Sequence, residues 1–221
     1  MNRDTPPRIG VLAIQGDYAA HAAALEEAGA IPVEVRKPEQ LDGLDGLILP
    51  GGESTTLSLL LQSSGLFEPL GALIAAGFPV FGTCAGLVLL ATEVHGGRPD
   101  QRGFGALDCT VLRNGYGRQS QSAESTVEVE ATLGGPGSMP AVFIRAPMIE
   151  SVGPEVEVLG WWRAPGDDRR LPVACRQGSV LASAFHPELT TDRRLHRLFV
   201  GMVEASEPGG ARDSVRAETA R

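Results

Sequence analysis

The sequence predicts an α/β fold in three layers, with a mainly parallel central sheet flanked by helices. Short apolar runs such as RIGVLAI, GLIL and PVF are typical of strands buried on both faces of a sheet. Segments with helical composition lie between these runs, and turns containing glycine follow them. This alternation of strand and helix is typical of a parallel α/β sheet.

The first half of the chain supplies the alternating elements. Arg8 to Ile14 is the first predicted strand, and an alanine-rich helix follows from Asp17 to Ala28, with Asp17 as N-cap and Gly29 as C-cap. The next predicted strands cover 31–35, 46–49 and 79–81, and the next predicted helices cover 53–62 and 66–76. Because ligands of open α/β sheets bind beyond the carboxyl ends of the strands, we expect the functional residues in the loops that follow them.

The second half is rich in predicted strands, at 107–112, 125–130, 141–145, 156–162, 171–176 and 179–184. The glycine-rich polar segment 113–121 is a loop able to close over a site, and 134–140 (GGPGSMP) is a turn cluster. Helical spacing returns over 191–205. We therefore expect one domain over residues 1–205 and a disordered tail over 206–221.

Composition excludes several classes of protein. The chain has 221 residues, 43% of them hydrophobic, and no apolar run approaches the ~20 residues of a membrane span. The formal net charge of −8 disfavours a nucleic-acid-binding surface. The polar N-terminus resembles neither a signal nor a transit peptide. We expect a cytoplasmic protein that binds neither nucleic acid nor a membrane.

The cysteines and histidines do not indicate a metal site. Cys84, Cys109 and Cys175 are widely spaced, which argues against both a disulfide framework and a structural zinc site. The remaining histidines outside the FHPE segment (His21, His95 and His196) lack metal-ligand spacing, and we interpret them as structural or solvent-exposed. We expect neither a metal nor another cofactor.

The segment PVFGTCAGLVLL predicts a strand, a sharp turn and a helix, with Cys84 at the turn. Its G-x-C-x-G spacing resembles the G-x-S-x-G nucleophile elbow, in which flanking glycines permit the tight turn. The positive end of the following helix favours the nucleophilic thiolate form of a cysteine at this place. Taken alone, Cys84 is better explained as a buried structural cysteine, and the rest of the chain must overturn that interpretation.

His186 and Glu188, in the segment FHPE, follow the last predicted strand. Proline after His186 keeps the backbone extended, so the two side chains project to the same side. The carboxylate would then orient the imidazole toward the thiol of Cys84, as in a nucleophile–base–acid triad. Alone, this motif is explained as a strand-end turn with a solvated acid; beside a cysteine elbow, the triad is the better interpretation.

Acyl transfer also needs an oxyanion hole. The N–H of Ala85, directly after Cys84, is one expected donor, and the N–H of Gly51 or Gly52 is the expected second. An ordinary strand-to-helix turn is the alternative explanation of the glycine pair. Arg145, after a predicted strand, either binds a carboxylate or forms a surface ion pair.

Six segments in order, GVLAIQG, LILPGGEST, FGTCAGL, RNGYGRQ, FIRAP and FHPELT, closely resemble the PdxT/SNO family, the glutaminase subunits of pyridoxal 5′-phosphate synthase. The resemblance covers about residues 9–204. FGTCAGL and FHPE are shared by class I glutamine amidotransferases in general, whereas LPGGEST, RN-x-x-GRQ and FIRAP narrow the match. The resemblance implies a flavodoxin-like class I amidotransferase fold.

By this resemblance, Cys84 attacks the side-chain amide of L-glutamine, His186 is the acid and base, and Glu188 is its partner. A thioester would form, and ammonia would pass to a separate synthase subunit that builds the vitamin B6 cofactor. Gln15 matches a residue that helps to form the oxyanion site when this subunit docks. The implied glutamine contacts fall on Gly52, Glu53, Ser54, Arg113, Ile144 and Arg145.

Two other functions remain open at this point. The triad alone does not name the ammonia acceptor, so the chain could be the glutaminase subunit of another amidotransferase. It could also be a catalytically inert regulatory module on the same fold, although Cys84, His186 and Glu188 are all present.

Overall fold

The computed structural model of the chain describes residues 5–115, 122–134, 137–163 and 169–206. The strands in these ranges are β1 (Arg8–Leu12), β2 (Ile31–Val35), β3 (Gly46–Leu49), β4 (Val80–Thr83), β5 (Ala91–His95), β6 (Leu107–Leu112), β7 (Ser122–Val129), β8 (Gly137–Ile144), β9 (Met148–Val152), β10 (Glu157–Arg163), β11 (Arg170–Gln177) and β12 (Val180–Ser183). The helices are α1 (Tyr18–Glu27), α2 (Ser54–Ser63), α3 (Phe67–Ala75), α4 (Ala85–Leu90) and α5 (Arg194–Ala205). Most of the predicted loop 113–121 and nearly all of the predicted tail lie outside the described residues.

A nine-stranded mixed sheet forms the centre of the fold, in the order β2-β1-β3-β4-β12-β11-β10-β7-β8. Its first five strands pair in parallel, which confirms the predicted parallel α/β core. From β12 onward the neighbours pair antiparallel. A separate three-stranded sheet joins β5, β6 and β9. The carboxyl ends of β1, β3, β4 and β12 therefore meet at one edge, where the predicted site residues follow them.

Helices cover both faces of the parallel half, as the three-layer prediction requires. Neighbouring residues of β4 point to opposite faces. Phe81 packs its ring against those of His21 in α1 and of Phe199 in α5. A Cβ on Gly82 would instead collide with α4, at 2.6 Å from the Leu90 Cδ1 atom. Helices α1 and α5 therefore lie on one face, and α4 lies on the other with α2 packed against it.

The structure differs from the predicted elements in three places. Strands β5 and β9 are not predicted from the sequence. In the structure, β5 pairs with β6, and β6 pairs with β9. The predicted turn cluster 134–140 is partly wrong, because residues from Gly137 onward belong to β8 and pair with β7. The secondary structure of these segments depends on pairing with a neighbouring strand, and local composition does not reveal that pairing.

Among the described helices, none is by itself both long and apolar enough to cross a membrane. Only α2 and α3 taken together meet that criterion of length and composition, as a pair bent by 101°.

Candidate active site

Cys84 stands at a strained turn between β4 and α4. Its backbone angles are φ 49° and ψ −101°, a conformation that a non-glycine residue rarely adopts and that costs about 1–3 kcal/mol. Hydrogen bonds hold both sides of this turn: the Cys84 N–H donates to the Ser183 carbonyl at 2.8 Å, and the Cys84 carbonyl accepts from the Val88 N–H at 3.2 Å. The predicted elbow therefore has the geometry that its glycine spacing indicates.

The flanking glycines permit this turn for a specific reason. A Cβ on Gly86 would overlap the carbonyl oxygen of Leu49 in β3, and one on Gly82 would lie 2.6 Å from the Gly86 carbonyl carbon. The elbow is thus packed directly against the neighbouring strand, and only glycine fits at either flanking position.

His186 and Glu188 follow β12 and form the hydrogen bond that the sequence predicts. His186 Nδ1 donates to Glu188 Oε1 at 2.7 Å, and both residues are buried. The His186 N–H donates to the Val142 carbonyl in β8 at 2.9 Å, which fixes the histidine backbone. Because Nδ1 is occupied by Glu188, Nε2 is the ring nitrogen left to interact with Cys84.

The surroundings raise the pKa of His186 and lower the pKa of Glu188. Burial alone would lower the pKa of His186, but its hydrogen bonds and charge interactions with Cys84 and Glu188 raise that pKa to about 10. Burial alone would raise the pKa of Glu188, but the hydrogen bond from His186 and the charge of its imidazolium lower it. This pair is suited to hold a proton on the imidazole while the carboxylate stays charged.

A cavity with about 160 Å³ of water-accessible volume opens above Cys84. Its lining includes Gly52, Glu53, Ser54, Cys84, Ala85, Arg113, Ile144, Arg145 and His186, together with Val88, Asn114 and Pro147. Every glutamine contact implied by the family resemblance is therefore at this cavity. Glu188 lies behind His186, away from the cavity wall.

The described residues contain three non-glycine positions with positive φ, and all three line this cavity. They are Cys84 at 49°, Asn114 at 52° and Arg145 at 44°. Backbone strain of this kind clusters at functional sites, because the surrounding structure must hold it in place. The strained end of β8 also brings the Ile144 carbonyl oxygen to 3.9 Å from the Cys84 sulfur.

Glu53 and Arg113 form a polar wall of the cavity. The Glu53 carboxylate is the N-cap of α2, because it accepts the backbone N–H groups of Thr55 at 3.1 Å and Thr56 at 2.7 Å. Arg113 donates to the same carboxylate at 2.6 Å. Although burial acts to raise the pKa of Glu53, the hydrogen bonds of Thr56 and Thr55 lower that pKa to about 2.

We predict that Glu53→Gln lowers the free energy of unfolding by about 1 kcal/mol at neutral pH, the usual size of a helix-cap contribution. The folded-state pKa of Glu53 lies below its ordinary value of 4.5, so the stabilisation is present above pH 4.5 and disappears as the pH falls toward about 2. Urea denaturation of both proteins from pH 7 to pH 2 measures this difference.

The matched control is Glu155→Gln, at an exposed turn between β9 and β10, for which we expect no change at any pH. A stability difference between Glu53→Gln and the unchanged protein that stays constant across the whole range would contradict the assigned role of the carboxylate charge.

The glycine loop after β3 lies between Gln15 and the triad. The Glu53 N–H donates to the Gln15 side-chain oxygen at 3.0 Å, and a Cβ on Gly52 would lie 2.7 Å from that oxygen. A Cβ on Gly51 would lie 3.3 Å from the Cys84 Cβ and would overlap the His186 ring. Gly51 and Gly52 thus touch the triad on one side and Gln15 on the other, although Gln15 does not line the cavity.

Several residues at the site carry no signal in the sequence that predicts them there. Asn114 and Pro147 adjoin predicted contacts but carry no chemical signal of their own. His21 and His196 are interpreted as structural or solvent-exposed; both are fully buried, and His21 Nε2 lies 3.3 Å from Glu188 Oε2. The sequence places His21 in the first predicted helix, but a lone histidine on a helix face does not indicate which residue it contacts.

No group of three or more histidine, cysteine, aspartate or glutamate side chains within the described ranges is arranged to hold a metal ion. Cys109 and Cys175 are free thiols in the core, and burial raises the pKa of each to about 12. Those two thiols therefore stay protonated at neutral pH, unlike a nucleophile.

Sequence comparison finds a family model and several relatives that match most of this chain. The model of the SNO glutamine amidotransferase family matches residues 11–205. A protein from Frankia alni described as pyridoxal 5′-phosphate synthase subunit PdxT is 55% identical, and the match covers 92% of this chain and 98% of that protein. PdxT proteins of Rhodococcus opacus and Mycobacteroides abscessus are 52% and 53% identical, each over 90% of this chain and 98% of the relative.

Solved structures give the same result for the fold. A crystal structure described as a glutamine amidotransferase superposes with a TM-score of 0.77 at 47% identity, covering 88% of this chain and 98% of that one. The PurLQS structure from Thermotoga maritima superposes with a TM-score of 0.60 at 16% identity, covering 98% of this chain. The second likeness supports the fold alone.

Proposed function

Since the chain belongs to the SNO glutamine amidotransferase family, we propose that it hydrolyses L-glutamine to glutamate and ammonia and supplies the ammonia for pyridoxal 5′-phosphate synthesis. The PdxT relatives are subunits of pyridoxal 5′-phosphate synthase, so the proposed acceptor is a separate synthase subunit. The observation that carries the proposal is that Cys84, His186 and Glu188 meet at a cavity lined by the residues expected to hold glutamine.

The first step is acyl transfer to sulfur. In the reactive state the thiol proton of Cys84 resides on His186, whose raised pKa keeps it as an imidazolium, and the thiolate attacks the carbon of the glutamine side-chain amide. The tetrahedral intermediate collapses as the His186 imidazolium donates its proton to the departing nitrogen, which leaves as ammonia. Glu188 does not change its own protonation state; it orients the ring and stabilises its positive charge.

The second step frees the enzyme. With ammonia gone, His186 accepts a proton from water, and the resulting hydroxide attacks the thioester carbon. The carbon–sulfur bond breaks, glutamate leaves, and Cys84 regains its proton from His186. One water is consumed, and one glutamate and one ammonia are formed for each glutamine.

Both steps place negative charge on the carbonyl oxygen. Ala85 is the first residue of α4, so its N–H has no partner within that helix and is the proposed first oxyanion donor. The N–H of Gly51 or Gly52 is the proposed second donor. Gln15 contacts this loop through the Glu53 N–H, so a docking partner that moves Gln15 would also move the donor loop.

Substrate orientation follows from charge. Arg145 is exposed at the cavity rim, and Arg113 lies on the wall with its side chain 17% exposed. We assign the α-carboxylate of glutamine to these two arginines. Glu53, Ser54 and the Ile144 backbone complete the proposed contacts around the side-chain amide and the amino group.

The test is to measure ammonia release from glutamine by the chain alone and with a saturating synthase subunit. We predict slow hydrolysis alone, stimulation of at least about tenfold by the subunit, and formation of pyridoxal 5′-phosphate from glutamine in the complex. Equal ammonia release with and without the subunit would contradict the coupling. Stimulation by a different synthase instead would favour a glutaminase of another pathway.

A further inference from the structure

A buried polar cluster lies behind the triad, on the face of β4 that α1 and α5 cover. His21 in α1 is its centre and is fully buried. The His21 Nε2 atom lies 3.3 Å from Glu188 Oε2 and 3.2 Å from Thr83 Oγ1. Its Nδ1 atom lies 3.1 Å from His196 Nε2. Polar contacts thus continue from His186 through Glu188 to His21 and His196.

Glu188 needs a second partner. Its Oε1 atom accepts the hydrogen bond from His186, whereas its Oε2 atom is buried and forms no hydrogen bond of good geometry within the described residues. The Glu188 side chain is only 1% exposed, so bulk solvent does not reach this oxygen. A buried carboxylate oxygen without a donor is strongly destabilised. The polar side-chain atom beside this oxygen is His21 Nε2, which lies 3.3 Å away.

The tautomers of the two histidines follow from these contacts. Burial is the largest influence on the pKa of His21 and lowers it, so the ring is neutral at pH 7, with one N–H donor and one acceptor. With the proton on Nε2, His21 donates to Thr83 Oγ1 at 3.2 Å, and the same N–H group lies beside Glu188 Oε2, which is 3.3 Å from Nε2. Its Nδ1 then accepts from His196 Nε2, and His196 Nδ1 becomes an acceptor. That atom is indeed buried without a hydrogen-bond partner in the described structure.

Other charges also act on this cluster. Glu188 and Asp17, the N-cap of α1, raise the pKa of His21, whereas His186 and Arg193 lower it. Burial lowers the pKa of His196 to about 3, so His196 is neutral as well. Two neutral rings therefore stand behind a charged carboxylate, and the contact with Glu188 depends on one oriented N–H.

We propose that His21 is a positioning residue for glutamine hydrolysis. The electrostatic contact of its Nε2–H with Glu188 Oε2 stabilises the second oxygen of the triad acid, and its hydrogen bond to Thr83 fixes the ring beside the residue that directly precedes the nucleophile. This role rests on the function proposed above. His21 touches neither the cavity nor the substrate, so it acts through Glu188 and His186.

The experiment measures the rate of Cys84 alkylation by iodoacetamide against pH, with the modified cysteine located by mass spectrometry. In His21→Leu, Glu188 loses the adjacent N–H dipole and stabilises the His186 imidazolium less well, so we expect the half-maximal rate at a pH higher by about one unit. We also expect a kcat for glutamine hydrolysis about tenfold lower in the complex with the synthase subunit. His21→Gln retains a donor near the Nε2 position. We expect its kcat within about threefold of the unchanged protein, and its half-maximal pH within about half a unit.

The matched control is Leu25→Ala in the same helix, which removes buried apolar contacts of α1 and leaves the histidine cluster intact. It should lower the melting temperature and leave the alkylation profile unchanged. An unchanged profile in folded His21→Leu would overturn the proposal, and so would equal shifts in His21→Leu and His21→Gln. If His21→Leu does not fold, His21→Ala takes its place.

The two proposals fail in different ways. If the unchanged protein hydrolyses no glutamine with its synthase subunit, the proposed function is wrong, yet the alkylation profiles still report whether His21 positions the triad. If hydrolysis is normal and the profiles of the His21 variants do not differ, only the role of His21 is wrong.

Discussion

Replacement of Cys84 by alanine is expected to abolish glutamine hydrolysis, with a loss in kcat of at least about a thousandfold. Cys84 is only 5% exposed but lines the cavity, and its sulfur is the atom proposed to form the thioester. No other described thiol can replace it, because Cys109 and Cys175 are buried in the core and have pKa values raised to about 12. Ammonia release at saturating glutamine and synthase subunit measures the effect.

The control for this experiment is Cys109→Ala in β6. Its side chain packs in the core, 2% exposed, so we expect a small loss of stability and unchanged kcat. Binding of Cys84→Ala to the synthase subunit should be retained, since the side chain that is removed is inside the cavity. Appreciable hydrolysis by Cys84→Ala would show that the nucleophile is elsewhere.

Gly51→Ala is expected to lower kcat by about a hundredfold, the loss that a displacement of about 1 Å at a catalytic group can cause. A Cβ at this position would overlap Cε1 of His186 and lie 3.0 Å from Nδ1, the atom bonded to Glu188. The imidazole must therefore move away from Cys84 or from Glu188. Because Gly51 has no positive φ, its backbone accepts alanine, and the fold should survive.

Gly201→Ala in α5 is the matched control. A Cβ there meets no atom within 4 Å, and alanine is a better helix former than glycine, so we expect equal or higher stability and unchanged kcat. Both variants are assayed well below their melting temperatures, so that loss of fold does not imitate loss of catalysis. Normal kcat in folded Gly51→Ala would contradict the placement of His186 against this loop.

The parallel half of the fold could be predicted because local and tertiary signals agree there. Strands β1, β3 and β4 are mostly apolar and buried, and glycine or proline follows each of them closely. The antiparallel half is harder to predict. Strand β9 (Met148–Val152) mixes polar and apolar residues, and its strand structure depends on pairing with β6. Residues 137–140 look like a turn by composition, yet they extend β8 along β7.

The triad could be predicted because each member carries a local signal: glycines flank Cys84, and Pro187 stands between His186 and Glu188. The layer behind the triad could not. His21 is 165 positions from His186, counted from their residue numbers, and meets Glu188 only after α1 packs on the sheet beside α5. The positive φ of Arg145 was equally hidden, because no glycine or asparagine marks that position.

The most direct test of the central claim is to identify the residue that a glutamine analogue modifies. We would incubate the complex with the diazoketone 6-diazo-5-oxo-L-norleucine, digest it and locate the adduct by mass spectrometry. We predict one adduct on this chain, on Cys84, and its loss in His186→Ala. An adduct on Cys109 or Cys175, or no adduct while the complex makes its product from glutamine, would contradict the assignment of Cys84 as the nucleophile.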